Sequence, residues 1–584
     1  MRVLLLHPED SIDGGVWCQQ RWDLIVDLGF ASRETYDAWS RLSETRVVSI
    51  HQYAEEIEGF RWVNRVFEQG RRRLVDRMGL DWWDILAMEK YQDLHTLYLF
   101  HQLKSEIDAG SVELAATRSH VSARIAEQVI GGSLRTFGRA ETGPLHRVRR
   151  AFRSARNLRP AQISEIALDK WDSGYRLRSY WERNGRARIE EPCVLLPSAY
   201  SNVTRTVLAY ARELPSHRFL LVTTRKNANP ASVPPNVSLA SLAAYVQPAR
   251  VTLQEGIELK EQWKSVFQKM RTESVEFRAT ANAGAWDYFP AHLEQGLHLR
   301  EAWICVLQSA PVTGVLCGDD LNHHTRLPLM LARKKALNSV YCSHGALDVG
   351  FLFKTPYADF FLVKGAMEQD YLRKAAPVVG EQIIVGAPGS DHAPVAQRNT
   401  GDALIFFSQP YEVIGGRGEA IYREVIPRLY SVACANGRKL IVKLHPFESR
   451  RMREKFVNLA LPERRHGAVE IVEGIAAETL MSRAWCGVTV DSSVAVECAL
   501  RGIPFFLCGW LDFTGVGYQQ QFARFGVAHV LQAPEEIERI AVMVAGYRFI
   551  SATSERLWQA ADHASLAQIL FGTSAERSPD IRVR

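Results

Sequence analysis

Short apolar runs alternate with longer amphipathic stretches through the second two thirds of the chain. A first series of runs covers 194–196, 219–222, 314–317, 339–342, 360–363 and 383–385. A second series covers 403–407, 440–443, 469–472, 487–490 and 504–507. Continuous apolar runs are typical of parallel strands buried on both faces, and the amphipathic stretches between them are typical of crossover helices. The pattern therefore predicts an α/β fold with two sheets.

The segment from Gly386 to Asp402 separates the two series and is rich in Gly, Pro, Ala, Ser and Asn, which predicts a linker. A chain of 584 residues exceeds what one hydrophobic core usually serves. We expect an N-terminal α/β region over 1–190, separate from the first lobe or part of it, a first lobe over 191–388 and a second lobe over 389–584.

Composition and charge narrow the class of protein. Hydrophobic residues make up 47% of the chain and charged residues 23%, as in a globular protein. Basic residues exceed acidic ones by only 71 − 65 = 6 and are scattered, so nucleic acid is not an expected partner. The nine cysteines form no CxxC pair, and no apolar run reaches the roughly 18–20 residues of a membrane span. We expect a cytoplasmic protein, with attachment to the inner face of the membrane left open.

The run ending at Lys443 is followed by Leu444, His445 and Pro446, and the proline ends the strand. In open α/β sheets ligands bind outside the carboxyl ends of the strands. His445 is therefore a candidate ligand-binding residue, although a structural histidine has the same position.

Two serines follow the apolar run 487–490. Ser492 and Ser493 stand in a small-residue turn before a short helix and the element Gly502-Ile503-Pro504. Hydroxyls and backbone amides in such a turn suit a phosphate, and Glu497 could accept hydrogen bonds from ribose hydroxyls. The alternative is an ordinary helix cap with a solvated glutamate.

The first lobe carries acidic and histidine residues at its strand ends. Asp319 and Asp320 follow the run 314–317, and neighbouring carboxylates can raise one pKa enough to make a general base. His344 follows the run 339–342 with Gly345 behind it, which allows close approach of a substrate. The doublet His323-His324 could suggest a metal, but no matching third ligand is visible in the sequence, so we expect no metal.

The order of these elements resembles bacterial GT-B glycosyltransferases that use CMP-sugars. A strand followed by His-Pro, then a Ser-Ser turn, a glutamate and Gly-x-Pro is similar to the donor lobe of sialyltransferases, polysialyltransferases and Kdo transferases. The resemblance implies two Rossmann-like lobes facing a cleft, with 191–388 on the acceptor side. It implies that His445, Ser492 and Ser493 contact the donor phosphate, assisted by Lys443 and by Gln409 at the start of the second lobe. Sialyltransferases carry Gly after their acidic pair, whereas Gly318 precedes the pair here.

The resemblance implies transfer of a Kdo or sialic-acid-like sugar from a CMP-sugar to a hydroxyl of a surface polysaccharide or its lipid-linked precursor. Asp319 or Asp320 would act as general base with inversion or as nucleophile with retention. His344 would stabilise the leaving phosphate or the reacting carboxylate. No cofactor besides the donor is expected, and association with a polysaccharide-assembly complex is left open. The alternatives are a polyol-phosphate transferase using a CDP-glycerol type of donor, a UDP-sugar 2-epimerase-like enzyme and a non-catalytic glycan-binding scaffold.

Overall fold

The computed structural model describes residues 1–6, 20–28, 46–53, 58–107, 111–117, 119–137, 168, 172, 185–247, 253–320, 322–343, 358–375, 380–389, 401–411, 418–446, 448–462, 469–474, 477–511, 518–548 and 556–572. These residues build three sheets in which neighbouring strands are parallel. The predicted α/β class is therefore confirmed, and the N-terminal region contributes a sheet of its own.

The N-terminal sheet has the order β3-β2-β1-β4-β5. Its strands are β1 (Arg2–Leu6), β2 (Leu24–Asp27), β3 (Arg46–Ser49), β4 (Glu113–Ala116) and β5 (Leu134–Thr136). The central strand β1 is buried over Val3–Leu6, as its apolar sequence requires.

The middle sheet has seven strands in the order β12-β11-β10-β9-β6-β7-β8. They are β6 (Cys193–Ser198), β7 (Arg218–Thr223), β8 (Val237–Ser241), β9 (Val312–Cys317), β10 (Asn338–Cys342), β11 (Phe360–Val363) and β12 (Glu381–Ile384). The order reverses between β6 and β9, which pair directly.

The C-terminal sheet has six strands in the order β15-β14-β13-β16-β17-β18. They are β13 (Ala403–Phe407), β14 (Lys439–Lys443), β15 (Val469–Val472), β16 (Ala484–Thr489), β17 (Phe505–Cys508) and β18 (His529–Leu531). Numbered within the sheet, this order is 3-2-1-4-5-6, and the middle sheet extends the same order by one strand. That is the strand order of Rossmann-type sheets. Both predicted lobes are therefore Rossmann-like.

Helices connect and cover the strands. The α-helices are Glu58–Gly70, Trp82–Leu86, Tyr91–Lys104, Val121–Ile130, Ser201–Glu213, Leu253–Glu273, Val275–Asn282, Phe289–Ser309, His323–Lys334, Ala366–Ala375, Gly418–Ala435, Arg450–Ala460, Ala477–Met481, Val494–Leu500, Tyr518–Arg524, Ile540–Gly546 and His563–Phe571. Short 3-10 helices cover Ile50–Tyr53, Ala87–Lys90, Lys226–Ala228, Leu242–Tyr245, Gly509–Leu511 and Pro534–Arg539. Within the described ranges, no helix combines the length and the apolar character needed to cross a bilayer.

The chain forms two compact units whose boundaries differ from the predicted domains. One unit contains residues 1–59, 93–159 and 392–554, and therefore both the N-terminal and the C-terminal sheet. The other contains 60–92, 160–391 and 555–584, and is built around the middle sheet. Long-range packing that has no signature in the local sequence produces this division.

Aromatic side chains hold residues 60–92 in the unit of the middle sheet. The Trp83 ring stacks on Trp286 with centroids 5.7 Å apart and lies 5.8 Å from Phe277. Trp82 is fully buried against Gly296, where a Cβ would come within 2.2 Å of the indole ring. The aromatic residues near 82 and 286 are therefore core residues.

The C-terminal helix His563–Phe571 belongs to the same unit. Its Leu566 and Leu570 are buried in the core cluster of the middle sheet. The Asn338 side-chain amide on β10 donates to the carbonyl of Ile569 at 2.9 Å. Gly386 and Ala387, the first residues of the predicted linker, lie against residues 559 and 560, so the chain is anchored there. Residues 390–400 of that segment lie outside the described residues.

A buried ion network supports this unit and gives a first prediction. The Arg300 guanidinium donates to Asp76 at 2.7 Å and to Glu255 at 2.7 and 3.0 Å. We expect Arg300→Ala to lower the free energy of unfolding by about 3–5 kcal/mol, since it leaves buried carboxylates without their cation. Urea unfolding followed by tryptophan fluorescence measures this effect.

Arg77→Ala is the matched control. Arg77 pairs with Glu258, but both side chains are about half exposed, so the expected change is below about 1 kcal/mol. Equal destabilisation by the two variants would contradict the role assigned to the buried network.

Candidate functional site

Three loops leave the carboxyl edge of the C-terminal sheet where its strand order reverses. The reversal lies between β13 and β16, and β14 flanks β13 on the other side. The loop after β13 carries Gln409, the loop after β14 carries His445, and the loop after β16 carries Ser492 and Ser493. Two strand spacings, roughly 10 Å, separate β14 from β16. In open α/β sheets, ligands bind in the crevice at the carboxyl edge where the strand order reverses.

Gln409 and Asp491 join the loops after β13 and β16. The Gln409 side-chain amide donates to the Asp491 carboxylate, and the Asp491 backbone N–H donates back to Gln409 Oε1 at 3.2 Å. The Thr489 hydroxyl at the end of β16 donates to the carbonyl of Phe407 at 2.7 Å. These bonds fix the turn that presents the two serines.

The buried carboxylate of Glu448 joins the loops after β13 and β14. It accepts hydrogen bonds from the His445 backbone N–H at 2.6 Å, the Ser408 hydroxyl at 2.7 Å and Arg453 Nε at 2.6 Å. Arg453 also donates to the carbonyl of Gln409 at 3.3 Å. One ion pair therefore holds both the histidine loop and the glutamine loop.

Burial raises the pKa of the Glu448 carboxyl, while the Arg453 charge opposes the rise. The side chains of Glu448 and Arg453 are 0% and 2% exposed, so neither contacts solvent appreciably. Sequence reasoning missed both residues. The signal that could have found Glu448 is its spacing of three residues from His445, which lets a carboxylate accept the backbone N–H of the loop.

The predicted donor-binding residues lie at this edge with partial exposure. His445, Lys443, Ser492, Ser493 and Glu497 are half-buried. Pro446 is exposed and lies three residues after β14, which ends at Lys443.

Local hydrogen bonds constrain the predicted residues to different degrees. The Lys443 ammonium donates to the carbonyl of Leu444 at 2.7 Å, so it lies on its own loop. Ser492 Oγ accepts a long bond, 3.4 Å, from the Val494 backbone N–H. Ser493 precedes the helix Val494–Leu500 without a side-chain cap bond. The Ser493 hydroxyl is therefore not used to cap this helix.

The acidic pair of the middle sheet also lies where the strand order reverses. Asp319 and Asp320 follow β9, which pairs with β6 at the reversal. Their exposed fractions are only 6% and 0%. Asp319 accepts from the Asn322 amide at 2.9 Å, and Asn322 caps the helix His323–Lys334. The structure thus places the pair at the predicted edge, but it buries both carboxylates, and Asp319 shares in a helix cap.

The acidic pair affects the pKa of a neighbouring thiol. The Cys317 thiol donates to the carbonyl of Asp319 at 2.9 Å. Burial raises the pKa of this thiol well above its usual range, and the nearby Asp320 and Asp319 charges raise it further. Cys317 is therefore a protonated core residue.

A histidine and glutamate cluster lies beside the acidic pair. The Glu89 carboxylate lies 2.7 Å from His292 Nδ1 and 2.8 Å from His323 Nδ1. Burial would raise the pKa of Glu89, but the His323 charge and the contacts with both histidines hold it well below its usual range. The sequence reasoning noted His323 but missed Glu89 and His292. His344, predicted as a catalytic residue, lies outside the described residues.

Comparisons with known proteins concern the fold. No protein-family profile matches the sequence, and a search of curated proteins gives no match. Among solved structures, S. aureus MnaA in a co-structure with UDP has 10% identity and a TM-score of 0.41 over 65% of this chain and 95% of that chain. UDP-GlcNAc 2-epimerase from Methanocaldococcus jannaschii has 11% identity and a TM-score of 0.39, over 65% and 98%. Acinetobacter baumannii MurG has 11% identity and a TM-score of 0.36, over 65% and 99%. The strand orders described above carry the assignment of the fold.

Proposed function

We propose that this protein is a glycosyltransferase whose C-terminal sheet binds the nucleotide of a CMP-sugar donor. The observation that carries the proposal is the convergence of three loops at the strand-order reversal. The Gln409–Asp491 pair and the Glu448–Arg453 pair hold these loops in place. A pre-arranged crevice of this kind supports tight binding because little loop ordering is left to occur on association.

The half-buried polar groups of the three loops suit a phosphate. In the proposed complex, His445 donates to the phosphate from one side, and the hydroxyls of Ser492 and Ser493 donate from the other. Charge develops on this phosphate as the sugar leaves, so fixed donors stabilise the transition state more than the ground state. Lys443 adds positive charge in the same loop, and Glu497 accepts from the ribose hydroxyls.

The choice of CMP rests on the resemblance of the ordered motifs to CMP-sugar transferases. The proposed sugar is Kdo or sialic-acid-like, and the proposed acceptor is a hydroxyl of a surface polysaccharide or of its lipid-linked precursor. The reaction forms a C–O bond to the acceptor and breaks the C–O bond to CMP, while the acceptor proton passes to a base. The proposed location is cytoplasmic, at the inner face of the membrane or within a polysaccharide-assembly complex.

Asp319 or Asp320 is the proposed base or nucleophile, and His344 the proposed group that stabilises leaving charge. The Asn322 amide holds the Asp319 carboxylate after β9, which suits a group that must be aligned with a reacting atom. Because both carboxylates are buried, a reacting carboxylate requires a change that admits the acceptor. Burial of Asp319 is slightly less complete than that of Asp320.

Donor turnover tests the proposal. We expect CMP release from a CMP-sugar, either CMP-Kdo or CMP-sialic acid, above the spontaneous rate, with no change in UDP-GlcNAc. Asp319→Asn and Asp320→Asn are assayed separately, and at least one should reduce turnover about 100-fold or more. Normal turnover by both variants would show that neither carboxylate takes part in the reaction.

Other substrate results would replace the proposal. Epimerisation of UDP-GlcNAc would assign the 2-epimerase-like alternative. Release of CMP from CDP-glycerol would assign the polyol-phosphate alternative. Binding of a glycan without turnover of any of these donors would assign a scaffold.

A further inference from the structure

Three metal-ligating side chains from distant parts of the sequence meet beside the middle sheet. Glu89 lies on the 3-10 helix Ala87–Lys90, His292 on the helix Phe289–Ser309, and His323 at the start of the helix His323–Lys334. One ligand atom from each side chain lies within 4.8 Å of the other two. All three residues belong to the same compact unit.

Gln295 and Glu89 face the two nitrogens of the His323 ring. His323 Nε2 lies 2.8 Å from Gln295 Oε1, and His323 Nδ1 lies 2.8 Å from the Glu89 carboxylate. In the tautomer with the hydrogen on Nε2, the ring donates to Gln295 Oε1 and its Nδ1 is a ligand atom beside the carboxylate.

The same arrangement is the usual outer-shell support of a metal ligand. A histidine that binds a metal almost always donates its other ring N–H to a carbonyl or carboxylate, which sets the tautomer and the ring orientation. Gln295 is 4% exposed, and its side-chain nitrogen has no hydrogen-bond partner among the described residues.

Burial differs across the cluster in a way that suits an accessible metal. His323 and Glu89 are 4% and 16% exposed, whereas His292 is 34% exposed. His323 and Glu89 are thus shielded from solvent, whereas the cluster is open to solvent on the side of His292. Bonds of about 2.0–2.2 Å to a tetrahedral zinc ion place ligand atoms about 3.3 Å apart. The present contacts of 2.7 and 2.8 Å, which involve the two different oxygens of Glu89, therefore need to open by roughly 0.5 Å.

We propose that Glu89, His292 and His323 bind a divalent transition metal of the zinc type. Two imidazoles and one carboxylate are the ligand set of open zinc sites, in which a water molecule completes the coordination. The hard ions Mg²⁺ and Ca²⁺ prefer oxygen ligands and are not expected to bind here. The expectation of no metal rested on the missing third ligand next to His323-His324, and the fold supplies Glu89 and His292. This site is independent of the donor proposal.

The test is a titration of the full chain, without an affinity tag and after removal of metals by a chelator. Zn²⁺ should bind with one equivalent per chain, and Co²⁺ should give visible ligand-field absorption, while Mg²⁺ should do neither. His292→Gln and Glu89→Gln should each weaken Zn²⁺ binding by more than about 100-fold. Gln295→Leu should weaken it by about 10–100-fold, the usual effect of losing an outer-shell group.

His217→Gln is the control, because His217 contacts Phe571 away from the cluster. It should keep the single equivalent, and circular dichroism of the metal-free variants verifies that they fold. Absence of Zn²⁺ binding by the folded wild-type chain would overturn the proposal and leave a proton between His323 and Glu89. Zn²⁺ binding that His292→Gln and Glu89→Gln leave unchanged would also overturn it.

Discussion

Glu448→Ala should abolish measurable CMP binding and lower the free energy of unfolding by about 3–5 kcal/mol. The substitution removes the acceptor of three hydrogen bonds, from His445, Ser408 and Arg453. It also leaves the Arg453 guanidinium buried without its anion. Stability is measured by urea unfolding, and binding by isothermal titration at a temperature where the variant is folded.

Glu454→Ala is the control for this prediction. Glu454 lies in the helix Arg450–Ala460, which also carries Arg453, and pairs with Arg450, but both side chains are about half exposed. The expected loss is below about 1 kcal/mol, with CMP affinity unchanged. If Glu448→Ala binds CMP as tightly as the wild-type protein, the Glu448–Arg453 pair does not organise a nucleotide site.

His445→Ala should weaken CMP binding by about 10–150-fold, the equivalent of losing one hydrogen bond to a charged phosphate. Ser492→Ala and Ser493→Ala, combined, should have a similar effect. These side chains are half-buried, so the free energy of unfolding should change little. Affinity for CMP is measured by isothermal titration alongside thermal unfolding without ligand.

His529→Gln is the control for the histidine variant. His529 is exposed on β18, the outermost strand of the same sheet. CMP affinity should be unchanged in this variant. Loss of affinity in His445→Ala together with a large loss of stability would assign His445 a structural role instead.

The middle and C-terminal sheets could be predicted because their buried strands have a local sequence signature, whereas the strands of the N-terminal sheet after β1 were not predicted. Strands such as Leu404–Phe407 and Leu440–Val442 are buried on both faces, so they appear as continuous apolar runs. The division into units could not be predicted in this way. It depends on contacts such as Trp83 with Trp286, which lie far apart in sequence and have no periodic signature.

The residues of the candidate site could likewise be predicted only in part. Strand-end reasoning predicted His445 and the two serines, and the resemblance added Gln409; the structure has all four at one edge because the carboxyl ends of parallel strands share it. Sequence reasoning missed Glu448 and Arg453, whose roles lie in buried hydrogen bonds rather than in a motif. Glu89 and His292 were missed for a related reason, since each reaches His323 only through the packing of separate helices.

A structure of the protein with CMP bound tests the central claim most directly. The proposal predicts the phosphate at the carboxyl edge of β13, β14 and β16, with its oxygens about 2.7–3.2 Å from His445 and from the Ser492 or Ser493 hydroxyl. A CMP phosphate bound elsewhere in the protein, with these three side chains uninvolved, would contradict it.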